Sequence, residues 1–229
     1  IIDVSNPDDA QFVELLSTSS WIVDLKATDD TLWIRSGGNL ARYDISAVAT
    51  PNLTGRVLST HWSEERIPVD FVVAGSQVYT LVYEPSGDNK AWSLLTHSID
   101  ALGNLSEENS LGLGTTDDSD GGSLALSANR MVAALPSSSQ GLKVISIASP
   151  GNPEELYSID SDAPQTAVLL NDNQLYGISE NNGTVWTLNP SSATAQQTFA
   201  SSTVEAMQIH GDYLIQAARS QGIYILNLE

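Results

Sequence analysis

Asn171-Asp172-Asn173-Gln174-Leu175-Tyr176-Gly177-Ile178 reads as a turn that opens into a short strand. Asparagine and aspartate tolerate the left-handed backbone of a tight turn, and the residues after them alternate or run apolar as a packed strand requires. Residues 167–170 are a second apolar segment just before the turn, so the two together predict a hairpin. The same phrase recurs along the chain. It stands as Asp29-Asp30-Thr31-Leu32-Trp33-Ile34, as Gly75-Ser76-Gln77-Val78-Tyr79-Thr80-Leu81, as Ala128-Asn129-Arg130-Met131-Val132-Ala133, and as His210-Gly211-Asp212-Tyr213-Leu214-Ile215. Apolar segments at 22–25, 69–73, 124–126 and 206–209 precede these copies.

A third segment follows each hairpin: 40–45, 91–99, 142–147, 185–188 and 223–226. Most show the period-two alternation of a strand with two differently packed faces. Proline- or asparagine-marked loops then lead to a fourth strand at 51–59, 103–113, 153–159 and 194–199. Successive units are spaced by about 46, 54, 43 and 40 residues, the length of a propeller blade. No sustained 3.6-residue apolar period is present, so long helices are not expected.

The expected fold is therefore all-β: a β-propeller of five four-stranded antiparallel blades in a single domain, 1–229. The units are approximately 21–66, 67–121, 122–164, 165–204, and 205–229 completed by 1–20. Pairing of N- and C-terminal strands would close the ring and remove exposed sheet edges. Residues 1–5 and 223–228 both read as third strands, one more than five blades need. The N-terminal segment is then either a lead-in or a sign of a larger ring.

Composition narrows the function classes. The 229 residues carry 28 acidic and nine basic groups, a net charge of −19, with 41% hydrophobic residues and no cysteine. That apolar content argues against wholesale disorder, and area scaling lets roughly 70% of the unfolded surface be buried. Nucleic acid and anionic membranes reward lysine and arginine, so neither is an expected partner. No apolar stretch approaches the roughly 18 residues of a membrane span. Without cysteine, disulfides, thiolate metal sites and cysteine nucleophiles are all excluded. The start, Ile1-Ile2-Asp3-Val4, has neither an initiator methionine nor a leader, which points to a processed or excised piece. Few lysines among many small polar residues suit a secreted, periplasmic or cell-surface bacterial protein.

The phrases Ile1-Ile2-Asp3-Val4-Ser5-Asn6-Pro7, Trp21-Ile22-Val23-Asp24-Leu25, Val69-Asp70-Phe71-Val72 and Gly211-Asp212-Tyr213-Leu214 resemble the LVIVD-repeat propellers. Only the first copy keeps the Asp-Val-Ser-Asn-Pro loop whole; later copies read Asp44-Ile45-Ser46, Ile147-Ala148-Ser149-Pro150 and Leu188-Asn189-Pro190. The resemblance implies a propeller and an exported setting, and it implies no catalytic residues.

Candidate chemistry is sparse. Asp24 and Asp70 hold the same place in the first strands of adjacent units, where propeller strands approach the channel. With Glu205 they could supply the carboxylates of a glycoside hydrolase or a carbohydrate-binding site. The competing reading makes them repeat aspartates that accept hydrogen bonds from backbone amides. Trp62, in a loop beside His61, is the best candidate for an exposed aromatic platform; Trp33, Trp92 and Trp186 belong to strand phrases and are expected to pack.

Asp117, Asp118 and Asp120 precede Gly121-Gly122 and form the densest acidic loop. Calcium favours such oxygen ligands, but the first position is Thr116 and no glutamate closes the loop, so solvated carboxylates are the expected state. His61, His97 and His210 show no metal-ligand spacing. Glu84 to Lys90 reads as a polar loop tip. The function expected is a non-catalytic binding or scaffold module, without a cofactor unless calcium binds, that meets a protein or glycan partner through its loops and channel mouth. Loops 84–90 and 114–122 are the first places to look. A carbohydrate-active propeller using Asp24, Asp70 and Glu205 is the alternative.

Overall fold

The computed structural model describes residues 2–3, 11–12, 22–28, 30–36, 39–46, 52–57, 66–100, 104–117, 121–137, 139–179, 182–200, 206–218 and 222–228. They form strands throughout. Blade 1 holds β3 (Ile22–Thr28), β4 (Thr31–Ser36), β5 (Asn39–Asp44) and β6 (Asn52–Val57), and it is preceded by a two-stranded ladder of β1 (Ile2–Asp3) and β2 (Gln11–Phe12). Blade 2 holds β7 (Ile67–Ala74), β8 (Gln77–Ser86), β9 (Asn89–Ile99) and β10 (Leu105–Asp117). Blade 3 is β11 (Ser123–Ser127), β12 (Arg130–Ala134), β13 (Leu142–Ser146) and β14 (Glu154–Ile159). Blade 4 is β15 (Ala167–Asn171), β16 (Gln174–Ile178), β17 (Asn182–Leu188) and β18 (Ala193–Ala200). Blade 5 has three strands, β19 (Ala206–His210), β20 (Tyr213–Ala218) and β21 (Gly222–Asn227).

The expected order of strands within each unit is observed, each pairing with its sequence neighbour. The expected closure falls partly outside the described residues: β1 pairs with β2, Ile2 opposite Phe12, and no described ladder joins either to β21. One expectation is corrected. Residues 84–90 are not a plain loop tip, because β8 and β9 extend through them and leave only a two-residue turn at 87–88. Lys90 is buried there, its ammonium 4.7 Å from the Tyr83 ring centroid, and this cation–π contact holds the long hairpin arm.

The chain divides into two compact units, 1–67 with 98–107, and 68–97 with 108–229. In the first, Trp33, Ile34 and Leu40 of blade 1 are buried. In the second, apolar side chains from successive blades stack in layers. Val72, Tyr79, Leu81 and Trp92 of blade 2 meet Leu124, Met131, Ala133 and Ile145 of blade 3. The opposite face of blade 3, with Val132, Ala134, Leu142 and Val144, meets Val168, Leu175, Trp186 and Leu188 of blade 4. Period-two alternation makes this possible: one strand presents alternate residues to the blade before it and the blade after it. Burying a Leu or Val side chain contributes about 1.5–3 kcal/mol, so these layers are the main source of stability.

The turns carry the repeat down to single residues. Gly75 and Gly211 open their hairpin turns with φ of 57° each, and Ala128 and Asp172 hold the same place with φ of 51° and 50°. The exit edge repeats too. Thr54, Leu156 and Gln196 are skipped in the pairing between third and fourth strands, one β-bulge at the same position in three blades.

Candidate functional site

First strands of neighbouring blades lie side by side, β11 against β15 and β15 against β19. Asp70 on β7 extends the series. Its Oδ1 accepts from the amide of Phe71 at 2.7 Å, and its Oδ2 accepts from the amide of Leu124 on β11, also at 2.7 Å. The carboxylate thus ties the first strands of blades 2 and 3 together. Asp24 on β3 is half-buried and lies 3.6 Å from the Lys26 ammonium. Glu205 and Trp62 lie outside the described residues, as do Asp118 and Asp120. Asp117 is exposed at the end of β10, next to a buried Thr116 that accepts from the Trp92 indole at 2.8 Å. Among the described residues no three histidines, aspartates and glutamates converge as metal ligands. His97 is buried on β9, His210 is exposed on β19, and His61 lies outside the described residues. Trp33, Trp92 and Trp186 are buried in their sheets.

The site that strand-by-strand reading missed is a groove of about 560 Å³ where blade 3 meets blade 4. Two hairpin turns, 127–130 and 171–174, form its floor. The Asp172 amide donates to Ser127 Oγ at 3.1 Å, and the Arg130 guanidinium donates to Asn173 Oδ1 at 3.1 Å. Behind them the Ile147 amide donates to the Asn129 carbonyl, and the Leu188 amide to the Asn173 carbonyl, fixing each turn to its own blade. Ser146, Ala148 and the bulged Leu156, 43% exposed, complete the wall. The groove therefore offers a guanidinium, a carboxylate, amides and hydroxyls beside an apolar rim.

Tyrosines brace the junction of blades 3 and 4 and the one before it. Tyr79 of blade 2 donates to the Pro150 carbonyl in blade 3 at 2.8 Å, and Tyr157 of blade 3 donates to the Asn189 carbonyl in blade 4 at 2.8 Å. Both acceptors lie in third-to-fourth-strand loops. Burial holds the Tyr79 phenol above the ordinary tyrosine range, helped by the negative charge of Glu108. Burial does the same for Tyr157, against an opposing pull from Arg130. Tyr176, raised by burial alone, donates to Gln174 Oε1. A second groove of about 400 Å³ lies beside Tyr157, Asp160, Trp186 and Ser192.

Known structures with this arrangement fall into one fold. The WD40 β-propeller domain of Doa1 matches with a TM-score of 0.59 at 11% identity, over 93% of this chain and 67% of that one. The fold is a β-propeller. A computationally designed protein, Ika8, gives a TM-score of 0.64 at 13% identity over 92% of this chain, which spans only 59% of Ika8. A chain from the mitotic checkpoint complex gives 0.54 at 10% identity, over 97% of this chain and 81% of that one. No family model and no curated protein matches the sequence. At these identities the likeness concerns the fold alone.

Proposed function

We propose that this propeller is a non-catalytic interaction module of an exported bacterial protein, of the LVIVD-repeat kind, and that it takes a segment of a protein partner into the groove between blades 3 and 4. The groove itself carries the reading. Arg130, Asn129 and Asn173 can donate to main-chain carbonyls or acidic side chains, Ser127 and Ser146 can donate or accept, and Leu156 gives an apolar contact. Such a mixture of fixed polar groups and exposed apolar surface suits a peptide segment. Arg130 and Asp172 put one charge of each sign in the lining, so the groove suits a polar segment with an acceptor or acidic group facing Arg130 and a donor facing Asp172. The loop phrase Asp3-Val4-Ser5-Asn6-Pro7 supports the LVIVD-like, exported setting.

The test is partner capture from a periplasmic or secreted fraction, comparing wild type with Arg130→Ala and Leu156→Ser. Loss of the same captured protein in both variants, with unchanged melting, is the expected result. A glycan array and a hydrolase screen run beside it. Turnover that disappears in Asp70→Asn would overturn the non-catalytic reading in favour of the glycoside-hydrolase alternative.

A further inference from the structure

The junction of blades 2 and 3 shows what chemistry the open groove between blades 3 and 4 lacks. Gln77 and Arg130 hold the same repeat position. Each is the first residue of its second strand, two places after the left-handed turn residue, Gly75 in one blade and Ala128 in the other. Tyr79 and Val132, two residues further on, both pack toward the following blade, so Gln77 and Arg130 lie on the same side of their strands. In blade 2 the Gln77 amide donates to Glu108 Oε2 at 3.3 Å, a carboxylate from the blade's own fourth strand, and Gln77 is buried. Beside that pair the Asn109 amide donates to Asn152 Oδ1 at 2.9 Å, which ties the same strand to the next blade.

Blade 3 differs at this place. Its fourth strand brings Leu156 to the groove instead of a carboxylate, while Glu155 of that strand is engaged by Lys143 at 3.3 Å. Among the described residues no carboxylate lies within ion-pairing distance of the half-buried Arg130 guanidinium, which donates to the neutral Asn173 amide oxygen. The two turns of the floor also depart from the repeat. Where Gly75 and Gly211 stand in other blades, Ala128 and Asp172 keep side chains at φ of 51° and 50°, a conformation that favours glycine, and both residues line the groove.

We propose that the groove between blades 3 and 4 selects a partner segment carrying a single carboxylate, which takes at Arg130 the place that Glu108 takes at Gln77. This rests on the reading of the groove as a peptide site. A guanidinium presents a planar fork of N–H donors, so its match to a carboxylate is stronger and more directional than that of a glutamine amide. Asp172 in the lining and the net charge of −19 penalise further acidic groups, so the rest of the segment is uncharged. The Asp172 carboxylate accepts from an amide or hydroxyl of that segment. An aspartate or glutamate side chain and a chain end offer the same chemistry to Arg130.

Three peptides added to the whole chain test this, with the amide resonances of residues 127–130 and 172–173 reporting on the groove. The first is the sequence of residues 105–111, capped at both ends and carrying Glu107→Gln, so that Glu108 is its one charge. The second carries Glu108→Gln as well and is neutral. The third is the neutral sequence with a free C-terminus, which separates a chain end from a side chain as the source of the carboxylate. At least one charged peptide should bind about tenfold more tightly than the neutral one. Arg130→Gln, with unchanged melting, should remove that difference. Equal binding of all three at the groove overturns the carboxylate preference and leaves the groove as a peptide site. A preference that survives in Arg130→Gln overturns it too, because Arg130 is then not the receiving group. If none of the peptides shifts these resonances, both the preference and the peptide site are overturned.

Discussion

Strands β13 and β21 occupy the same place in blades 3 and 5, yet they live in opposite environments. Leu142, Val144 and Ile145 of β13 are fully buried, whereas Ile223 and Ile225 of β21 lie mostly in water. Their sequences do not explain the contrast, since Ile223-Tyr224-Ile225-Leu226 has no charged residue while Leu142-Lys143-Val144-Ile145 carries a lysine, yet it is the former that is exposed. What differs is the neighbour. β13 has β14 along its edge and blade 4 across its face. Blade 5 has three strands among the described residues. A propeller strand thus gains its stability from the next repeat as much as from its own residues, as expected of a repeat architecture.

The comparison can be broken most forcefully at its buried end. Leu142→Ala should cost about 2–5 kcal/mol, through lost transfer energy and a cavity, while Ile223→Ala should cost less than about 0.5 kcal/mol. Urea unfolding of both variants at low protein concentration measures the difference; similar losses would mean that β21 is covered after all.

The contact between blades offers the next test. A methyl group on Gly177 would lie 2.7 Å from both Gln165 Oε1 and the Trp186 ring, so Gly177→Ala should destabilise by about 1–3 kcal/mol as Trp186 is displaced from the layer between blades 3 and 4. An effect of the same order is expected at the link between blades 2 and 3. Asp70→Ala leaves the Leu124 amide without its acceptor and should cost about 1–3 kcal/mol, the lower part of that range if water reaches the amide. A stability equal to wild type would show that the carboxylate is not structural and would return it to the list of ligand-binding candidates.

Alkaline pH probes the same junctions. Tyr79, Tyr157 and Tyr176 ionise at higher pH in the folded chain than in the unfolded one, because burial disfavours the phenolate. Their contribution is fully present below the unfolded value of about 10 and is lost as pH rises through the raised folded values. Melting temperature should therefore fall above about pH 10, and less steeply in Tyr79→Phe than in wild type. The smallest effect expected is that of calcium. Asp117 is exposed, and the melting temperature should be the same in EDTA and in millimolar calcium; a rise with calcium would establish a site at the acidic loop.

Much of the fold was legible because each repeat is punctuated locally. Asn171-Asp172-Asn173 and His210-Gly211-Asp212 mark turns by their own chemistry, and the strands between them alternate. The roles of Asp24 and Asp70 were legible only as alternatives, since one sequence position suits a catalytic carboxylate and an amide acceptor alike. The groove was not legible. Its floor joins Ser127 to Asp172 and Arg130 to Asn173, residues 45 and 43 positions apart, and neither turn is unusual by itself. The clue available was the spacing of about 43 residues between those units, which places Ala128 and Asp172 at one repeat position. The bulge at Leu156 leaves no composition signal, and the polar tip at 84–90 concealed two strands because a lysine ammonium can be held over an aromatic ring.

A chain without cysteine permits one direct measurement of the central contrast. Leu142→Cys and Ile223→Cys, each the sole thiol in its protein, can be titrated with a disulfide reagent under native conditions and at high dilution. The account predicts that Ile223→Cys reacts at close to the rate of a free peptide thiol, while Leu142→Cys reacts only as the protein unfolds. Equal protection at both positions would contradict it.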